Sequence, residues 1–155
     1  MNSRELFLYL FVLTSATAWE LFLAYLPGFR SYFTRSGVIH LERGVVKCWK
    51  EYSPSLTFVI LALLPAIVLI ALHIYLKNPI LKKSGLSVGI TTLFVILMAF
   101  ITSGEPWLLT LLLVSIMTGA ALGEDKVEKA LLAIQGFIPA TVLLIAMGLW
   151  LNAKC

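Results

Sequence analysis

Glu20 is the residue of this sequence best placed to do chemistry. It lies in the first apolar stretch of the chain, about seven residues, or roughly 10 Å, from the end of that stretch. An ionised carboxylate in such surroundings is costly unless it is paired, so we expect Glu20 to face the protein interior, to be protonated, or both. It would then serve as a proton or cation site or as a ligand to a buried cofactor. The structural alternative is a carboxyl group hydrogen-bonded to Thr110 or to a partner subunit.

Five further residues are candidates for the same polar site, because the predicted topology brings them to the same half of the molecule. They are a second acidic residue, two tryptophans, a histidine and a threonine: Glu105, Trp19, Trp107, His40 and Thr110. Their types suit a polar cavity, whereas none of them belongs to a recognisable catalytic motif. We therefore predict a site in one half of the membrane and assign no catalytic residue.

Motifs of the common enzyme and metal sites are missing from the sequence. It contains no HExxH, GxSxG, P-loop or CxxC, and two histidines are too few for an ordinary dinuclear metal site. His73 falls about 15 Å from Glu20 along the predicted membrane normal, so we expect neither a pair between them nor haem bound by His73. The sequence thus disfavours an enzyme and predicts no metal and no cofactor.

The composition is that of an integral membrane protein. The 155 residues are 60% hydrophobic and 13% charged, with a mean hydropathy of +0.96. Soluble domains have about 45–50% apolar and about 25% charged residues. The basic residues behind the net charge of +4 lie between the apolar stretches. Their expected partners are lipid head groups rather than nucleic acid.

The apolar stretches predict an all-α bundle of five transmembrane helices in a single domain. A bilayer core of about 30 Å needs about 20 helical residues, which gives spans at about 6–27, 55–77, 86–103, 106–123 and 130–151. The third and fourth spans come from one stretch that would be about 60 Å long as a single helix. We predict a tight turn at 103–106 between them. The alternative is four spans with 102–107 embedded in the membrane.

Small residues at the outer ends of that helical hairpin predict close helix packing. They follow small-xxx-small patterns on one side of the membrane: Gly85, Gly89, Ser115, Gly119 and Gly123. The alternative is that these glycines merely fray the helix ends.

The two halves of the chain also resemble each other weakly. Residues 64–76 match 138–151 through Pro-Ala-x-Val-Leu, and 6–21 match 93–109 through Thr-Ser and a following Trp. An ancestral duplication would suit a transport protein, although apolar sequences also match by chance. Pro65 and Pro139 occupy corresponding mid-span positions, where we predict kinks that free backbone carbonyls.

The first loop predicts an interfacial amphipathic helix over about 37–52. A helical wheel places its apolar residues on one side and its basic residues, with His40, on the other. Such a helix lies in the membrane surface rather than crossing it. Lysines and arginines divide six and six between the two sides of the five-span arrangement, so orientation stays open with a slight preference for an inside N-terminus.

Three functions fit these observations, in decreasing order of preference. The first is a non-catalytic subunit or assembly partner of a larger membrane complex, built with other subunits or with further copies of itself. The second is a small oligomeric transporter or channel that uses Glu20. The third is a membrane-embedded enzyme or a quinone- or lipid-binding protein that uses the carboxylates of the predicted polar site, Glu20 and Glu105.

Overall fold

The computed structural model describes residues 2–44, 46–100 and 107–152, without the side chains of residues 107 and 152. These residues form five α-helices and one antiparallel β-hairpin. The elements are α1 (Ser3–Ala24), β1 (Thr34–His40), β2 (Val46–Tyr52), α2 (Leu56–Leu76), α3 (Pro79–Met98), α4 (Trp107–Leu122) and α5 (Lys126–Asn152). The prediction of a mainly helical chain with five apolar helices is confirmed.

Four helices, α1, α2, α3 and α5, are long and apolar enough to cross a membrane. Helix α4 is apolar but has only 16 residues, or roughly 24 Å, less than the roughly 30 Å of a bilayer core. The predicted fourth span is therefore a shorter helix than the others. The predicted turn at 103–106, with Glu105, lies outside the described residues, as does most of the alternative embedded segment 102–107.

Side-chain caps determine where the helices begin. Asn2 Oδ1 accepts from the backbone N–H of Glu5, and Ser55 Oγ accepts from that of Phe58. Asn78 caps α3, where Pro79 suits the first helical position because it lacks an N–H. Helix α3 thus begins seven residues earlier than the predicted start at 86.

The helices alternate in direction, and contacts at both ends of the bundle show it. Lys50 of the hairpin contacts the end of α5, and Tyr52 contacts the end of α3. At the opposite end, Lys83 near the start of α3 pairs with Glu128 near the start of α5. We call the end that carries the hairpin the loop side and the opposite end the N-terminal side. Helices α1, α3 and α5 run from the N-terminal side to the loop side, and α2 and α4 run back.

The predicted amphipathic helix at 37–52 is wrong, because this segment is the β-hairpin. Arg43 and Gly44 both have φ of +76°, which reverses the chain tightly between the strands. The flanking Val38, Ile39 and Val46 are β-branched and favour extended backbone. A helical wheel of these 16 residues did not separate helix from strand, because a segment this short can match both periodicities.

The hairpin is attached to the bundle through one face of β2. The Lys50 ammonium donates to the carbonyls of Trp150 (2.9 Å) and Leu151 (3.3 Å), which the last turn of α5 leaves without helical partners. The Tyr52 hydroxyl donates to the carbonyl of Ile96 at 2.9 Å. Burial raises the pKa of the Tyr52 phenol, so it remains a neutral donor. Cys48 in the same strand is disulfide-bonded.

The main apolar core lies beneath the hairpin on the loop side. Phe29 and Phe33, just before β1, stack against Phe58 of α2, with ring centroids 5.2 Å apart for Phe33 and Phe58. Val95 of α3 and Met147 of α5 complete this cluster. Towards the N-terminal side the interior becomes polar.

Candidate functional site

Glu20 lies on the face of α1 that packs into the bundle. The buried residues of this helix recur every three or four positions: Tyr9, Val12, Ala16, Glu20 and Leu23. The Glu20 side chain is 1% exposed, and neither of its carboxyl oxygens has a hydrogen-bond partner. Thr17, one turn earlier on the same face, has a buried hydroxyl that is also unpartnered. Burying a carboxyl group without a partner opposes folding.

The two structural explanations proposed for Glu20 do not hold for the described chain. Thr110 is half-buried, yet it supplies no hydrogen bond to Glu20, whose two oxygens are unpartnered. A partner subunit cannot reach a side chain that its own chain covers almost completely. The carboxyl group is therefore an internal feature of this protein rather than part of an interface.

Trp19 hydrogen-bonds to the turn of α2 that precedes Pro65 rather than to its neighbour Glu20. The indole Nε1–H donates to the carbonyl oxygen of Leu61 at 2.8 Å. Leu61 lies four residues before Pro65, and proline has no N–H to donate to that carbonyl. The predicted freeing of a carbonyl by Pro65 thus has a physical consequence, because Trp19 satisfies it and links α1 to α2.

The remaining predicted site residues do not join Glu20 in the interior. His40 is exposed at the outer end of β1, where the strand register pairs it with Val46. Trp107 begins α4, but its side chain is outside the described residues, as is the whole of Glu105. His73 is half-buried, and its Nδ1 lies 2.8 Å from the backbone oxygen of Asn78. Of the predicted polar site, Glu20 alone is fully buried in the part of the chain that is described.

The interior contains a second group of polar residues that sequence reasoning missed. We call it the polar file, and its six members are each 1% exposed or less: Tyr9, Ser84, Ser87, Thr91, Thr92 and Gln135. Four of them lie on α3, where a spacing of three and four residues from Ser84 places Ser87 and Thr91 on one face. That spacing, together with the only glutamine of the chain, was the available signal.

Helices α1, α3 and α5 meet along the polar file through hydrogen bonds to backbone carbonyls. Ser87 Oγ donates to the carbonyl of Leu132 at 2.7 Å, and Gln135 Nε2 donates to that of Tyr9 at 2.8 Å. Gly136 makes this approach possible, because a Cβ there would lie 2.8 Å from Thr91 Cγ2. The file is thus part of the packing between the three parallel helices.

Several polar atoms of the file nevertheless lack a partner. They are the hydroxyl groups of Tyr9, Ser84 and Thr92 and the amide oxygen of Gln135. Native proteins pair the large majority of buried polar atoms, so each exception requires an explanation. Together with Thr17 and Glu20, these residues form an unusual concentration of unsatisfied groups inside an otherwise apolar bundle.

The N-terminal side of the file ends at a group of charged residues. The ammonium of Lys83 lies 2.6 Å from Glu128 Oε1 and 3.6 Å from Glu124 Oε1. Glu128 is largely covered, with a side chain 14% exposed, whereas that of Glu124 is 84% exposed. The Tyr9 hydroxyl lies within electrostatic range of both carboxylates, and of Glu5 and Asp125. We call Lys83, Glu128 and Tyr9 the mouth of the file.

The predicted packing glycines of α3 lie against α2, and those of α4 lie against α5. A Cβ on Gly85 or Gly89 of α3 would meet α2, at 2.9 Å from Ile70 Cγ1 and 3.2 Å from Ala66 Cβ respectively. On Gly119 or Gly123 of α4 it would meet α5, at 2.5 Å from the Lys129 carbonyl and 2.6 Å from Lys129 Cγ.

Ser115 and Pro139 complete the set of predicted packing and kink positions. The Ser115 hydroxyl is buried and donates to the carbonyl of Leu111 in its own helix. Pro139 is buried and lies inside α5, which continues through it, as α2 continues through Pro65.

An apolar cleft of about 230 Å³ lies between α1 and α2. Trp19 and Pro65 line one part of it, and Ser15 is its one hydroxyl-bearing residue. Glu20 is not among its lining residues, so the cleft and the buried carboxyl group are separate features.

Within the described ranges, no group of three or more histidine, cysteine, aspartate or glutamate side chains is arranged to hold a metal ion. Comparison with protein-family models, with curated proteins and with solved structures finds no match for this chain.

Proposed function

We propose that this is a multi-pass membrane protein that moves protons across the membrane, with Glu20 as the group that binds and releases them. The observation that carries this proposal is the burial of an unpartnered carboxyl group inside the helix bundle. Ionisable residues inside membrane helices commonly mark ion pathways and proton relays. The four long apolar helices supply the membrane-spanning part.

A proton suits this site better than a metal cation. Hard cations such as Ca²⁺ take about six to eight oxygen ligands, and Mg²⁺ takes six. The carboxyl group of Glu20 and the hydroxyl group of Thr17 offer three oxygens on this face of α1. A proton needs only one carboxylate oxygen, and the neutral carboxyl group that results is tolerated in an apolar interior.

Proton flux into vesicles tests the proposal. The purified full chain is reconstituted into liposomes that contain a pH-sensitive dye, and a potassium diffusion potential drives protons inward. We expect flux well above that of protein-free vesicles. The variant Glu20→Gln keeps the shape and polarity of the side chain but cannot bind a transferable proton. It should lower the flux by at least about tenfold.

Glu42→Gln is the matched control, because Glu42 is an exposed carboxylate at the tip of the hairpin. It should leave the flux unchanged. Wild-type vesicles no more permeable to protons than empty ones would contradict the proposal, as would a Glu20→Gln variant with wild-type flux. Size-exclusion profiles of both variants establish that the comparison is between folded proteins.

The hairpin supports a second candidate function, that of an assembly partner in a larger complex. In the part of the chain that the structure describes, its two strands pair with each other in a two-stranded sheet. Apolar side chains near its tip, including Val38, Ile39 and Val46, are about half exposed. This role is compatible with proton movement, since a proton-conducting subunit can belong to a complex.

A further inference from the structure

We propose that protons reach Glu20 from the N-terminal side, entering at the mouth between Lys83 and Glu128 and following the polar file. This inference rests on the proposed function and adds a direction and a route to it. The mouth, the file and Glu20 occupy successive levels of the same three parallel helices, α1, α3 and α5.

The mouth brings a carboxylate that can exchange protons to the end of the polar file. Acidic residues (Glu5, Glu124, Asp125 and Glu128) and basic residues (Arg4, Lys82, Lys83, Lys126 and Lys129) alternate along the helix ends that form it. The buried Tyr9 hydroxyl lies within electrostatic range of these carboxylates and has no hydrogen-bond partner. The covered carboxylate of Glu128 and the Tyr9 hydroxyl group therefore lie together at the outer end of the buried polar file.

The file supplies hydrogen-bonding atoms from the mouth towards the middle of the bundle. Ser84 follows Lys83 directly in α3, and its buried hydroxyl has no partner. Gln135 lies at the level of Tyr9, and Thr92 follows Thr91, which contacts Gly136. In the proposed route, water molecules bound to the unpaired atoms of Ser84, Gln135 and Thr92 pass the proton from one level to the next.

The last part of the route connects Thr92 to Thr17 and Glu20. The contacts of α5 with Tyr9 and Thr91 place Thr92 near the level of residue 11 in α1, so Thr17 lies roughly 9 Å further along the axis. The route requires about two water molecules, joined by hydrogen bonds of about 2.8 Å, to bridge that axial distance. The proton converts the Glu20 carboxylate to a neutral carboxyl group. Its release regenerates the carboxylate, and α1 ends roughly 6 Å further on, at the loop side.

Ser84→Ala and Thr92→Val test this route sharply, because each removes a hydroxyl group that makes no hydrogen bond. A merely structural role predicts unchanged flux and unchanged or higher thermal stability. The route predicts the same stability but proton flux lowered at least about fivefold in the liposome assay. Ser115→Ala is the matched control, because Ser115 is equally buried but donates to its own helix in α4.

A second pair of variants tests the mouth by altering the two carboxylates that lie beside Lys83. Glu128→Gln, which alters the covered carboxylate, should slow proton flux when the pH is lowered on the N-terminal side. Glu124→Gln, which alters the exposed one, should not.

The outcomes separate this inference from the proposed function. If Glu20→Gln stops the flux while Ser84→Ala and Thr92→Val match the wild type, the route is wrong and the proposed function stands. If Glu20→Gln leaves the flux intact, both fail. Equal losses in Ser84→Ala, Thr92→Val and the Ser115→Ala control, with lower stability in all three, would also refute the route.

Discussion

At the scale of single residues, the contact between Trp19 and Leu61 explains how α2 accommodates a proline in its interior. Proline removes one helical hydrogen bond and leaves the carbonyl four residues earlier without its donor. Here the indole of Trp19 replaces that donor from a neighbouring helix. A position that would weaken an isolated helix becomes a point of attachment between two helices.

We expect Trp19→Phe to lower the free energy of unfolding by about 1–3 kcal/mol, because it leaves the Leu61 carbonyl buried and unpaired. In a Pro65→Ala background the same substitution should cost markedly less, since the new N–H at residue 65 can bond to Leu61. The measurement is helix content by circular dichroism during denaturation in mixed micelles. An equal cost in both backgrounds would show that Trp19 contributes through packing alone.

At the scale of elements, the sequence predicts the helices well because each apolar stretch is long. It fails over 37–52, where strand and helix patterns both fit, although Gly44 between β-branched runs was a usable hairpin signal. The glycine patterns were visible in sequence, but their partners were not, because spacing along one helix says nothing about which neighbour approaches. Glu20 was found through its charge, whereas hydroxyl residues such as Ser84 were overlooked because they are common in membrane helices.

The glycine contacts lead to a prediction about helix packing. Gly119→Ala should lower the free energy of unfolding by about 1–3 kcal/mol, because its Cβ would press on backbone atoms of α5. Gly148→Ala is the matched control, since nothing lies within 4 Å of a Cβ at that helical position. It should stabilise the protein by about 0.5–1 kcal/mol through helix propensity. The same denaturation assay serves both variants, and equal effects would mean that α4 and α5 do not approach so closely in the membrane.

At the scale of the whole molecule, the burial of Glu20 within one chain implies that a single protomer contains the whole of the carboxyl group that we propose as the proton-binding group. Oligomerisation is therefore not required to assemble it, and purified protein without foreign subunits should conduct protons. The hairpin, in contrast, carries exposed apolar residues that favour an external partner. The buried carboxyl group predicts that a particle made only of this chain is active, whereas the hairpin predicts a particle that contains another subunit.

Mild-detergent extraction followed by native mass measurement and subunit analysis tests both predictions. We expect a particle made only of this chain to retain the Glu20-dependent proton flux in liposomes. If a stoichiometric second subunit is present instead, Val38→Lys together with Val46→Lys should release it, because the charges would oppose contact with an apolar partner surface. Flux should persist after that release, since the hairpin lies outside the polar file. Loss of flux on removal of the partner would show that the proton path is completed by another chain, contrary to what the enclosed carboxyl group implies.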